Sequence, residues 1–236
     1  MSGGLVLGGG SGIAGAVLRH AWGAPPRDGE RWVLTTRPGR PRPRLDDAAA
    51  GRLLDWREVD AAGDSRPFLE ELGATGWRPD RVLVAWGRMA GPSCHDQDEL
   101  REFNGAIVLG WLEALTAWLP PGAHVAVLGS VAGDRPRPSL GGYALGKQDL
   151  EQGVEALRRA HPHLRWTLVK PGPVATPMTA ALARRPPLTA EPAAVAPRIA
   201  RAWDSGAPVV YAPPFWRVVS LILGLVPGPL YRRLPI

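Results

Sequence analysis

Short, mostly apolar runs recur along the chain, separated by intervals long enough to hold a helix. Leu5-Val6-Leu7 is followed by Arg31-Trp32-Val33-Leu34-Thr35-Thr36, Val82-Leu83-Val84-Ala85-Trp86, His124-Val125-Ala126-Val127-Leu128-Gly129 and Arg165-Trp166-Thr167-Leu168-Val169-Lys170. Runs of this length without strict alternation predict strands buried on both faces, and Glu58-Val59-Asp60 closes a further one. Between the fourth and fifth strands, Leu100, Phe103, Ile107, Trp111 and Leu115 fall at helical spacing, which predicts a long helix over about Asp98–Leu119. The pattern is that of an α/β chain. From Val218 to Leu230 run thirteen residues without a charge, flanked by Arg217 and by Arg232 and Arg233. That is short of the roughly twenty apolar residues that span a bilayer. A helix buried against the sheet, a subunit contact and insertion into one leaflet all fit it.

The first strand runs into Gly8-Gly9-Gly10-Ser11-Gly12-Ile13-Ala14-Gly15. Strand, glycine turn and opening helix make a cradle for a dinucleotide. Glycine lets backbone approach a pyrophosphate, and free N–H groups at a helix N-terminus favour an anion. Tyr143 and Lys147 stand four residues apart in Gly142-Tyr143-Ala144-Leu145-Gly146-Lys147, thirteen residues after Ser130. That spacing puts phenol and ammonium on one helix face, where the cation favours the phenolate and makes the tyrosine a proton donor for a carbonyl oxygen. Ser130, delivered by the fifth strand, would hold that oxygen.

The glycine loop and the Ser-Tyr-Lys set together resemble the short-chain dehydrogenase/reductases. Leu7 stands where that family has its loop Thr, its glycines fall on Gly8 and Gly12, and Ala14 replaces the last. The family's catalytic tetrad falls on Asn104, Ser130, Tyr143 and Lys147, and its Pro-Gly motif on Lys170-Pro171-Gly172-Pro173-Val174-Ala175-Thr176. Ala85-Trp86-Gly87 takes the place of the family's Asn-Asn-Ala-Gly segment. The resemblance implies a single-domain, Rossmann-type doubly wound parallel sheet over residues 1–236, with 177–236 forming a substrate lid and an apolar C-terminal segment. It implies NADPH or NADH as cofactor, held by Gly8, Ser11, Gly12 and Ile13 in the loop and by Ala85 and Gly87 after the fourth strand. Pro171, Gly172, Val174 and Thr176 would contact it from the sixth strand, Tyr143 and Lys147 from the active site, and Asp60 at the adenine. Lys147 would also hold the nicotinamide ribose, Asn104 would link it to solvent through a water, and the chain would form a homo-oligomer.

Ala132-Gly133-Asp134-Arg135, Pro187-Leu188-Thr189, Ala212-Pro213 and the terminal Arg233-Leu234-Pro235-Ile236 carry a narrower resemblance. They are similar to the branch of the family that reduces a decaprenylphosphoryl 2-keto pentose. This implies reduction of the 2-keto group of a polyprenylphosphoryl pentose to the arabinose donor of cell-wall synthesis, with a flavin oxidase as the partner that makes the keto sugar. Reduction of a soluble ketone with NADPH and a non-catalytic dinucleotide sensor are the alternatives.

Arg37 ends the second strand where a ribose-reading residue sits. An acidic side chain there would take the hydroxyls of NAD, whereas Arg37, helped by Arg40, favours the 2′-phosphate of NADP. With 236 residues, 45% of them hydrophobic, the chain can bury one sizeable core. Its net charge of +6 lies in arginine, with Lys147 and Lys170 the only lysines. The densest cluster, Arg37 to Arg44, is broken by three prolines and does not read as a nucleic-acid face. The five histidines show no ligand spacing, so no metal is expected. The lone Cys94 and the absence of a leader before the first strand predict a cytoplasmic protein, with peripheral contact at the inner membrane surface as an open alternative. Arg184 and Arg185 are candidates for a substrate phosphate.

Overall fold

In the computed structural model, which describes residues 3–45, 49, 51–90, 96–180, 182 and 186–231, the apolar runs form one sheet. Its strands are β1 (Gly3–Leu7), β2 (Arg31–Thr36), β3 (Leu53–Glu58), β4 (Arg81–Val84), β5 (His124–Leu128), β6 (Arg165–Pro171) and β7 (Val209–Ala212). Every neighbouring pair is parallel, in the order β3-β2-β1-β4-β5-β6-β7. Parallel neighbours need crossover connections, and helices supplied by those crossovers cover both faces. β1 and β5 are therefore buried at every position. Successive residues of β1 feed opposite faces: Leu5 and Leu7 pack with Trp111, Leu112 and Leu115, while Val6 packs with Leu18, Ile199 and Trp203. β3, paired on one side only, differs. It carries Asp55, which meets Arg31 of β2 at 2.7 Å, and Arg57, and such charges keep an edge strand from pairing with another chain.

The helices are α1 (Gly12–Ala21), α2 (Arg66–Ala74), α3 (Gln97–Glu102), α4 (Val108–Trp118), α5 (Val131–Asp134), α6 (Gly141–Ala160), α7 (Pro177–Ala180), α8 (Pro192–Ser205), α9 (Trp216–Leu225) and α10 (Gly228–Tyr231). The long helix expected over Asp98–Leu119 is interrupted by a π-helical turn, Phe103–Ile107, that joins α3 to α4. Backbone contact with α6 accompanies this interruption. A Cβ on Gly142 would stand 1.8 Å from the Gln97 carbonyl oxygen, and one on Gly146 2.6 Å from that of Arg101. Two glycines one turn apart let α6 lie against α3 and the π-turn.

α9 presents Trp216, Ser220 and Leu223 to a cavity and, within the uncharged segment Val218–Leu230, leaves Val218, Leu221, Ile222 and Leu225 exposed, the last at 79%. Among the described residues no helix is long and apolar enough to cross a membrane. Cys94, Arg184, Arg185 and residues 232–236, with the terminal Arg-Leu-Pro-Ile, lie outside the described residues.

Candidate active site

The carboxyl ends of β1, β4, β5 and β6 open into one cavity of about 920 Å³. At its β1 end the chain leaves the sheet at Gly8, whose φ of +90° suits glycine, and whose N–H donates to Thr35 Oγ1 at 2.9 Å. Ser11 caps α1, its Oγ accepting from the Ala14 N–H. Gly12 lies close to Thr176: a Cβ on it would stand 3.1 Å from the Thr176 methyl.

At the other end β5 delivers Ser130, which caps α5 through its Oγ and lies beside the Tyr143 phenol. The first turns of α6 bring Tyr143 and Lys147 to the same wall. Burial pushes the Tyr143 phenol up, the Ser130 hydroxyl pulls it down and the nearby Glu151 charge pushes it up again. The buried Lys147 ammonium donates to the carbonyls of Leu128 at 2.8 Å and Trp86 at 3.3 Å. Burial lowers its pKa to about 8, with Glu151 acting in the opposite direction. Asn104, fully buried in the π-turn, accepts from the Arg88 N–H and donates to the carbonyls of Arg88 and Leu100. Gly87 separates Asn104 from Lys147: a Cβ on it would meet Asn104 Oδ1 at 3.3 Å and Lys147 Nζ at 3.6 Å.

Glu151, absent from the sequence reading, lies one turn beyond Lys147 on the same face of α6. It pairs with Lys170 of β6 at 2.7 Å, and Lys170 also binds Asp134, whose Oδ1 accepts from Tyr211. Burial raises Glu151 to about 7 against the pull of Lys170. Its Oε1 reaches the Ser130 N–H at 3.5 Å, and the approach requires Gly133, where a Cβ would stand 2.7 Å away. A signal for this cluster existed: both lysines of an arginine-rich chain converge on it.

Arg37 and Arg40 line the cavity at the end of β2, joined by Arg88. Burial lowers the Arg37 guanidinium, and the charges of Arg40 and Arg88 lower it further, so the three cations stand close together. Asp60 lies elsewhere. It sits exposed beyond β3 with its carboxylate on the Ala62 N–H, and the cavity wall does not include it.

No protein-family model matches the chain. Solved structures do resemble it. A short-chain dehydrogenase from Burkholderia cenocepacia in complex with NADP superposes with a TM-score of 0.76 at 18% identity, covering 99% of this chain and 97% of that one. A short-chain dehydrogenase/reductase from Serratia marcescens gives 0.68 at 18% identity over 89% and 96% of the two chains. An alcohol dehydrogenase from the archaeon Thermococcus sibiricus, complexed with 5-hydroxy-NADP, gives 0.69 at 20% over 89% and 96%. The fold is that of the short-chain dehydrogenase/reductases.

In a short-chain dehydrogenase/reductase fold the strand order reverses between β1 and β4, and a crevice opens outside the carboxyl ends there. The residues of this chain fit a dinucleotide in that crevice. Gly10 faces open space, the first turn of α1 presents its N–H groups beside it, and the arginine cluster stands at the end of β2. Gly8, Ser11, Gly12, Ile13, Arg37, Ala85, Gly87, Pro171, Gly172, Val174 and Thr176 all border the same cavity as Ser130, Tyr143 and Lys147.

Proposed function

We propose that this chain is an NADPH-dependent reductase acting on the 2-keto group of a polyprenylphosphoryl pentose. The observation that carries the reductase reading is the meeting of Ser130, Tyr143 and Lys147 with the glycine turn in one cavity. Bound NADPH supplies the hydride for the carbonyl carbon. Ser130 holds the carbonyl oxygen, and Tyr143, kept protonated by burial, gives it the proton that completes the alcohol. Lys147 stands fixed by two carbonyls one turn away, an electrostatic support for the phenolate left behind. Arg37, Arg40 and Arg88 select the 2′-phosphate of NADPH, and the NADP complexes named above support that choice.

The substrate rests on the branch motifs together with α9. One face of this helix roofs the cavity, and the other exposes Val218, Leu221, Ile222 and Leu225 to solvent, apolar surface that suits a substrate met at a lipid interface. A flavin oxidase would supply the keto sugar at that interface. The same inner face of α9 also suits a second reading, in which the helix only closes the site over a soluble ketone. NADPH oxidation with a prenylphosphoryl 2-keto pentose, run beside simple soluble ketones, separates the two. Turnover of the lipid-linked sugar alone is expected. Turnover of soluble ketones alone would leave the active site in place and remove the substrate assignment.

A further inference from the structure

Five buried polar atoms of residues lining the cavity have no hydrogen-bond partner among the described residues: Thr36 Oγ1, Arg88 Nε, Asp134 Oδ2, Arg137 Nη1 and Trp216 Nε1. Buried polar groups are nearly always satisfied, and a guanidinium donor left unmet is costly. Where such atoms line an open cavity, a ligand can supply the missing partner. Thr36 and Arg88 stand at the Arg37 end of the cavity, whereas Asp134, Arg137 and Trp216 belong neither to the glycine turn nor to the Arg37 cluster.

Their neighbours are already committed. Arg135 donates to the carbonyls of Leu223 and, at 2.6 Å, Val226, and its guanidinium lies 4.0 Å from the centre of the Tyr231 ring. Asp134 Oδ1 is taken by Lys170 and Tyr211, so the aspartate charge is balanced inside the protein. Trp216 is held with its indole nitrogen against Gly172, where a Cβ would lie 1.9 Å from it. Arg137 has no carboxylate partner among the described residues, and its charge reaches Tyr231, where it opposes the rise that burial imposes on the phenol.

We propose that Arg137, together with the Trp216 indole N–H, forms a subsite for a phosphoryl group carried by the carbonyl substrate. Guanidinium and indole nitrogens donate and do not accept, so a pocket offering both selects an anion, and the guanidinium fork matches phosphoryl oxygens. Asp134 Oδ2 leaves an acceptor on the same wall for a hydroxyl of the substrate. The subsite deepens the reductase reading and rests on it for the carbonyl compound, but the donors stand independently of it.

The test is equilibrium binding to NADP⁺-loaded protein by calorimetry, with geranyl phosphate and geraniol as a matched pair. Geranyl phosphate is expected to bind about tenfold or more tightly than geraniol, the scale of charge-assisted hydrogen bonds. Arg137→Gln is expected to erase that preference while geraniol and NADP⁺ affinities stay within about twofold. Equal binding of the two probes by the unmodified protein overturns the subsite, as does an Arg137→Gln protein that keeps the preference. A loss of NADP⁺ affinity overturns it too, by assigning Arg137 to the cofactor. Trp216→Phe is the second variant should Arg137→Gln fail to fold: it keeps a ring and removes the donor, and an undiminished phosphate preference counts equally against the subsite. Because binding does not require turnover, a protein that holds geranyl phosphate through Arg137 yet reduces no keto pentose loses the reductase reading and keeps this one.

Discussion

At the scale of single residues, the chemistry turns on groups whose charge burial has altered. Tyr143→Phe removes the proposed proton donor and keeps the ring, so NADPH binding measured by fluorescence should persist while turnover falls by about two orders of magnitude or more. Near-normal turnover would take Tyr143 out of the mechanism. Arg37→Asp should weaken NADPH about tenfold or more and leave NADH much less changed, since only NADPH brings a 2′-phosphate to the cluster. Lys147 is cationic below about pH 8, so kcat/KM for reduction should hold below that value and decline above it as the ammonium is lost. Glu151 raises Lys147, and its removal in Glu151→Gln should move this alkaline limb to lower pH. A limb that stays put would mean that Glu151 serves the fold alone. Ser130, Tyr143 and Lys147 were legible in the sequence because their spacing is local. Glu151 and Arg88 were not, since what gives them a role is the approach of β6 and of Arg37, contacts made across the fold.

At the scale of elements, five of the strands announced themselves as apolar runs, and their carboxyl ends carry the motifs. β7 did not: its four residues sit between loops, and its pairing with β6 gives it its identity. The π-turn was equally hidden, because the apolar spacing of Leu100, Phe103 and Trp111 reads as uninterrupted helix. Its trace lies in another element, the Gly142 and Gly146 of α6. Gly146→Ala should place a methyl 2.6 Å from the Arg101 carbonyl oxygen and 2.8 Å from Asn104 Cβ, contacts that only a backbone shift relieves. A loss of roughly 1–3 kcal/mol is expected for such overpacking, read from denaturant midpoints, with a fall in turnover because Lys147 adjoins it. An unchanged midpoint would show that α6 has room to move.

At the scale of the whole molecule, the pH dependence of stability has an origin far from the active site. His124, at the start of β5 and buried, bonds Thr167 through Nε2 at 2.8 Å, and burial, with the charges of Arg165 and Arg81, holds its pKa at about 4. Between the ordinary histidine value and about 4 the unfolded chain takes up a proton that the folded one refuses. Stability attributable to His124 is thus intact at neutral pH and is lost as pH falls through that window, by up to roughly 3 kcal/mol. Glu151, raised to about 7, titrates in the opposite sense over much of the same range. The readout is therefore the difference between the parent protein and His124→Gln in unfolding free energy from pH 7 to 4, which should shrink as the solution is acidified. A constant difference would mean that His124 is protonated in the fold. The roof over the cavity has a wider consequence. Arg135 fastens the C-terminal end of α9 and is itself gripped by Tyr231, yet it stands only five residues after Ser130. The hasp that shuts the chamber and the serine proposed to steady the reacting oxygen are cut from one short piece of chain, so unfastening the roof would tug on the proposed chemistry.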